Sequence, residues 1–295
     1  MFIALYCAEL LDWAGSDNRV FFLNGALAAL GFLVAGLAAS FFHLGRPERA
    51  WRAAAMWRTS WLSREAIVLP IAMVMVVAYA ISHYVGYLGS DGKLLSLSIG
   101  AVGVLVMLML FLCTGMIYAC IRFLQEWASP LTVANFTFLG LASGFFLAAA
   151  HAAEYAPEAA DPLTYATLAL LSIAFLFKLA SLWRNTQIKP KSNLQSAIGI
   201  RHSKITQQAV GFMGGSFNTR EFFHGKSRRV LDTVSKLSFV LVFLSPAILI
   251  AAGLIAPAPW IPMTAFTCHC LGLLLERWHF FAQANHPQNL YYQSD

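Results

Sequence analysis

Charged side chains are scarce in this chain. They make up 12% of its 295 residues, about half the roughly 25% typical of soluble domains. That scarcity excludes an ordinary water-soluble enzyme, and the 59% of hydrophobic residues with a mean hydropathy of +0.64 point to an integral membrane protein. CxxC pairs are missing too. Cys7, Cys113, Cys120, Cys268 and Cys270 all lie in apolar runs, without the spacing that holds zinc or an iron–sulfur cluster, so they read as small buried hydrophobes. No basic leader with a small-residue cleavage site precedes the first run, and no removable signal is expected. Internal repeats are absent, and only one long polar segment, 185–236, interrupts the apolar sequence. The net charge of +6 needs no nucleic acid to explain it, because basic residues at membrane edges follow from topology.

Crossing a hydrocarbon core of ~30 Å takes about 20 apolar residues. Seven runs satisfy this, at 20–42, 62–85, 94–121, 131–154, 162–184, 237–256 and 261–281. An eighth, from Met1 to Ala14, would make only ~21 Å of helix, too short to span. The expected fold is therefore an all-α integral membrane protein, a single polytopic domain over 1–295. Its bundle would hold about eight transmembrane helices, the first of them short.

Lysine and arginine give the orientation, since positively charged loops stay in the cytoplasm. One set of alternate loops holds seventeen of the twenty basic residues, against Arg19 and Lys93 on the other side, with Lys178 inside a helix. Setting the long 185–236 loop aside still leaves seven against two. The expected location is the bacterial cytoplasmic (inner) membrane. The basic loop, the C-terminus and the segment 43–65 would face the cytoplasm, and the acidic loop 154–162 would lie outside. Trp51, Trp57, Trp61, Trp127, Trp183 and Trp278 then collect at the inner boundary, where amphipathic rings settle.

The segment "HLGRPERAWRAAAMWRTSWLSRE" (43–65) carries five arginines, two glutamates, a histidine and three tryptophans. Gly45 and Pro47 end one helix after His43, Ser60 or Ser63 caps the next, and Glu65 lies in its first turns. An imidazole and a carboxylate thus reach the same membrane depth. Such a pair suits an apolar molecule that enters from the bilayer and exchanges protons together with electrons, which describes a quinone: His43 would bond a carbonyl and Glu65 would move the proton. On residue chemistry alone a plainer reading stands beside it, with His43 capping carbonyls and Glu65 paired to Arg64 or Arg46.

"HLGRPERA" followed by "SWLSRE" resembles the signature of the membrane-anchor subunits of dimethyl sulfoxide reductase and its relatives. The similarity extends through "MIYACIRFLQEWASPLTVANFTFLGLASG" (116–144) and "ERWHFFAQANHPQNLYY" (276–292). The resemblance implies eight helices without haem or metal, and a bound quinol or quinone (ubiquinone or menaquinone). It also implies electron exchange with a partner iron–sulfur subunit, itself joined to a molybdopterin catalytic subunit. It places the site on His43 and Glu65, and the quinone pocket is expected to include Arg46, Trp61, Ser63 and Arg64 as well. Two departures stand out: the first run here is shorter than the family's first helix, and the charge bias puts the His43–Glu65 end in the cytoplasm. The charge bias and the long basic loop resemble the subgroup of anchors that serve cytoplasmic complexes of the sulfite dehydrogenase type, with electrons running from sulfite to quinone. The alternatives are an anchor of a dimethyl sulfoxide reductase-type terminal reductase oxidising menaquinol, or a transporter. A transporter would show broken helices or repeats at the midplane, and the sequence shows neither.

Three further charges, Glu9, Lys178 and Glu276, fall inside apolar runs. Lys178 reads as snorkelling or paired, and Glu276 as an ion pair with Arg277. His83 and His151 share a depth near the outer edge, a spacing that would also admit a bis-histidine haem, although each reads more simply as a hydrogen-bonded core histidine.

Overall fold

The computed structural model describes residues 1–15, 18–42, 44–85, 91–189, 191–206, 208, 228–256, 258 and 260–284. Among them all regular structure is helical. The order is α1 (Phe2–Leu10), α2 (Arg19–Phe42), a 3-10 helix (Pro47–Ala54), α3 (Trp61–Val85), α4 (Asp91–Ala119), α5 (Pro130–Tyr155), α6 (Pro157–Thr186) and α7 (Leu194–Ile198). Then come α8 (Arg228–Phe239), a π-helical stretch (Val240–Leu244), α9 (Ser245–Ile255) and α10 (Ile261–Ala282).

Among the described residues six segments are long and apolar enough to cross a membrane: Arg19–Phe42, Trp61–Val85, Gly92–Ala119, Pro130–Tyr155, Pro157–Thr186 and Arg229–Ile255. The last joins α8, the π stretch and α9 into one rod. α10, with 22 residues, is not among the six; it carries His269, Glu276, Arg277 and His279, which dilute its apolar character. α1 has nine residues, about 14 Å of helix, and is the short first helix expected from the sequence.

Local chemistry sets the helix starts. Ser129 caps α5, its hydroxyl accepting from Leu131 N at 3.2 Å, and prolines occupy the first turns of α5, α6 and α10, where a missing N–H costs nothing. Only Ala156 separates α5 from α6, so those helices form a tight hairpin and pack along their length, as do α3 and α4. α2 lies on α3, α4 on α5, and α10 against α5, α8 and α9. The interfaces are rich in alanine, with Ala142, Ala148, Ala149 and Ala152 of α5 and Ala159 and Ala174 of α6 all buried, as close packing in lipid favours. Close backbone approaches at Gly115 and Gly272 need glycine. A Cβ on Gly115 would lie 2.8 Å from Val133 Cα, and one on Gly272 would lie 2.6 Å from Val242 N.

α1 plugs one end of the bundle, where Leu5, Phe21, Phe22, Val76 and Tyr79 are fully buried together. Large apolar side chains such as Val74, Leu105, Leu176 and Leu274 stand exposed on the outside, which suits lipid rather than water.

Candidate functional site at the Glu65 end

The connection from α2 to α3 is short and interfacial. After Phe42 the chain turns, with Leu44 N donating to Phe41 O at 3.1 Å. Pro47 then opens the 3-10 helix, and a second turn at Met56–Ser60 leads into α3. His43, one of the two expected site residues, lies outside the described residues. Ser60 is the cap of α3, its hydroxyl accepting from Ser63 N at 3.4 Å. Each of the three tryptophans carries an arginine: Arg52 lies 5.4 Å from the Trp51 ring centroid, Arg58 lies 5.4 Å from that of Trp57, and Arg64 lies 4.2 Å from that of Trp61. Stacked guanidinium–indole pairs of this kind hold both the charge and the ring at a polar–apolar boundary.

Arg64 does more than stack. Its Nε donates to Trp57 O at 2.9 Å and its Nη2 to Arg58 O at 2.8 Å, so it clamps the last turn of the connection onto α3. With the guanidinium committed there, it is not the partner of Glu65. Arg46 is exposed at the start of the 3-10 helix. Among the described residues Glu65 makes no ion pair at all, so the plainer reading of a Glu65–Arg64 or Glu65–Arg46 pair is not what the helix ends adopt. Instead the half-buried Glu65 carboxylate accepts a hydrogen bond from the Thr114 hydroxyl of α4. Trp61 stands one turn before Glu65 on the same face of α3. Ser63 is 4% exposed and, two residues from Glu65, points about 200° away around the helix. The expected pocket residues thus divide: Glu65 and Trp61 share a face, Ser63 faces the bundle, Arg64 serves the backbone and Arg46 is exposed.

Sequence reading does not single out Thr114 or its neighbour Tyr118. They lie on α4, 49 or more residues beyond Glu65, and only the packing of α3 on α4 brings them together. The Tyr118 ring belongs to an aromatic cluster with Trp127, Phe136, Phe280 and Phe281. This cluster is where the stretches 116–144 and 276–284 meet.

The same end of the bundle holds a buried ion network. Lys178 of α6, 4% exposed, donates to Glu276 Oε1 of α10, itself 2% exposed, while Arg277 reaches Glu276 Oε2 at 2.5 Å and sits 4.1 Å above the Phe136 ring. Lys178 is therefore paired rather than snorkelling. At the opposite end Glu9 of α1 is 3% exposed and accepts from Tyr79 at 2.6 Å and from Ser96, with His83 Nε2 3.4 Å away. His83 stacks on Phe22, and His151 bonds the Phe21 carbonyl at 2.9 Å. Each of these histidines has its own protein contacts. His269, completely buried in α10, bridges Ser143 Oγ and Val242 O, both at 2.9 Å, and so satisfies a carbonyl of the π stretch.

An all-helical, multi-pass bundle with a polar site at one helix end defines a membrane-anchor class of protein, and the comparisons with known proteins make that class specific. Residues 1–255 match the family described as DMSO reductase anchor subunit (DmsC), and the chain belongs to that family. It is 52% identical over 285 residues to the C subunit of the sulfite dehydrogenase of Allochromatium vinosum, a match covering 93% of this chain and 86% of that protein. No solved structure matches it.

Proposed function

We propose that this chain is the quinone-reactive anchor of a multi-subunit molybdopterin oxidoreductase, with the quinone headgroup bound at the Glu65 end of α3 and α4. The observation that carries this reading is Glu65 itself, a half-buried carboxylate with no cation against it among the described residues and a hydroxyl as its partner. With Oε1 on the Thr114 hydroxyl and no ion pair on either oxygen among the described residues, the carboxylate is open to an acid–base role towards a bound ligand. That fits a quinone, whose reduction consumes two electrons and two protons and whose oxidation returns them.

In this reading Glu65 is the acid–base group for one quinone oxygen, and His43 bonds the headgroup from the end of α2. Trp61, on the face of Glu65, supplies an aromatic wall, while Arg64 fixes the turn that carries both. Electrons are exchanged with a partner iron–sulfur subunit docked on the face that bears the arginine-rich connection, and that partner is joined in turn to a molybdopterin catalytic subunit. The excess of lysine and arginine in these loops supports a cytoplasmic position for this face, in a bacterial inner membrane. The identity to a sulfite dehydrogenase subunit supports sulfite or a related sulfur compound as the electron source and quinone as the acceptor.

The test is Glu65→Gln in the assembled complex. Loss of a positioned general acid–base group lowers quinone-linked turnover by about 100-fold or more, while assembly and dye-linked oxidation of the substrate stay as in the wild type. Quinone reduction at the wild-type rate would sink the assignment.

A further inference from the structure

We propose that Tyr118 is the hydroxyl donor that holds the quinone headgroup beside Glu65, and that the aromatic cluster around it exists to fix the direction of that hydroxyl. The inference rests on the quinone site proposed above and adds a residue to it.

Position comes first. Thr114, whose hydroxyl is committed to Glu65, and Tyr118 are four residues apart on α4 and so stand one above the other on the same helix face. Tyr118 is the next polar side chain on that face towards the membrane edge.

The ring is immobilised to a degree that packing alone does not call for. Phe136 stacks on it at 5.3 Å with planes 16° apart, and Trp127, Phe280 and Phe281 meet it edge-on or steeply inclined at 5.5, 5.5 and 5.4 Å. The box is itself braced, because Trp127 Nε1 donates to Phe280 O at 2.9 Å and ties the α4–α5 connection to α10. Four aromatic side chains from three parts of the chain therefore hold one phenol. Among the described residues the Tyr118 hydroxyl has no hydrogen-bond partner, and it is not one of the buried unpartnered side-chain atoms, so it reaches the surface beyond its half-buried ring, where a headgroup can meet it. A phenol with a fixed axis, its hydroxyl unpartnered among the described residues, on the helix face whose Thr114 holds the Glu65 carboxylate, matches the chemistry of a para-dicarbonyl ring. One quinone oxygen meets Glu65, and the other polar edge of the headgroup accepts from Tyr118. The phenol donates a hydrogen bond and keeps its proton, so the electron and proton balance of the reaction is unchanged.

Tyr118→Phe removes the hydroxyl and leaves the ring in its box. In the intact complex, turnover is measured against the concentration of a short-chain quinone, together with dye-linked turnover and thermal unfolding of the complex. Loss of one neutral hydrogen bond to the headgroup raises the quinone KM by about 3- to 10-fold. Unfolding temperature and dye-linked activity match the wild type, since no bond among the described residues is lost. An unchanged KM overturns the assignment, and so does a lowered unfolding temperature, which would mean that the hydroxyl has a protein partner. Glu65→Gln run alongside separates the two proposals. If Glu65→Gln is impaired while Tyr118→Phe is normal, only Tyr118 falls; if Glu65→Gln is normal, the site as a whole falls and Tyr118 with it.

Discussion

Removing Lys178 tests how the α6–α10 contact is held together. Glu276 is 2% exposed and has a different cation on each oxygen, Lys178 on Oε1 and Arg277 on Oε2. In Lys178→Met the Oε1 atom loses its donor, but Arg277 still neutralises the charge. The cost therefore falls at the lower end of the range for breaking a buried pair, about 3 kcal/mol. Glu276→Gln is worse: the Lys178 ammonium, in a residue 4% exposed, is left without its counter-ion, and the cost approaches about 5 kcal/mol. The double variant Lys178→Met with Glu276→Leu removes both buried charges. Because the Arg277 side chain is 26% exposed, it has a route to water, and the double variant is expected within about 1 kcal/mol of the wild type. The assay is thermal unfolding of the detergent-solubilised protein, followed by loss of the monodisperse species. The expected order of stability is wild type, double variant, Lys178→Met, Glu276→Gln. A Lys178→Met protein as stable as the wild type, or a double variant as weak as Glu276→Gln, would show that Glu276 is not held by these cations.

Three other substitutions give sharp outcomes in the same assay. Ser129→Ala deletes the α5 cap on Leu131 N and should cost about 1 kcal/mol, with Ser129→Asp close to the wild type. Gly272→Ala places a methyl 2.6 Å from Val242 N and 2.7 Å from Leu241 C, both backbone atoms, so the π stretch must move and the cost is about 1–3 kcal/mol; full stability would mean that the two helices do not approach this closely. His269→Leu leaves Ser143 Oγ and Val242 O without their shared partner, and should cost about 1–3 kcal/mol, more than Thr267→Leu at an exposed position of the same helix.

Hydropathy locates the spanning helices well because lipid demands long uninterrupted apolar runs, and a run such as 20–42 returns as α2, Arg19–Phe42. It reads poorly where a helix continues into polar sequence. α6 begins at Pro157 rather than 162, since Pro157 and Glu158 are good first-turn residues that apolarity does not register. α8 begins at Arg228 rather than 237, because its first turns are amphipathic. At the site, Glu65 and the capping serine are legible as local signals. The commitment of Arg64 to the Trp57 and Arg58 carbonyls is not, because it depends on how tightly the connection folds back. Thr114 and Tyr118 are hidden for a different reason: their relevance comes from helix pairing, for which a single sequence holds no distance information. The stretches 116–144 and 276–292 are visible as a resemblance, but what joins 116–144 to 276–284, an aromatic box around one phenol, becomes clear only in three dimensions.

The clamp made by Arg64 has a mechanical consequence. By bonding the carbonyls of residues 57 and 58 while lying over Trp61, it makes the turn before α3 and the first turns of α3 a single stiff piece. Trp51 and Trp57, with 72% and 53% of their surface exposed, float that piece at the level of the lipid headgroups. The height of Glu65 in the bilayer is thus gauged from the membrane surface by the tryptophans rather than from the far ends of the helices. In a thinner or thicker bilayer the bundle tilts, and the carboxylate keeps its draught.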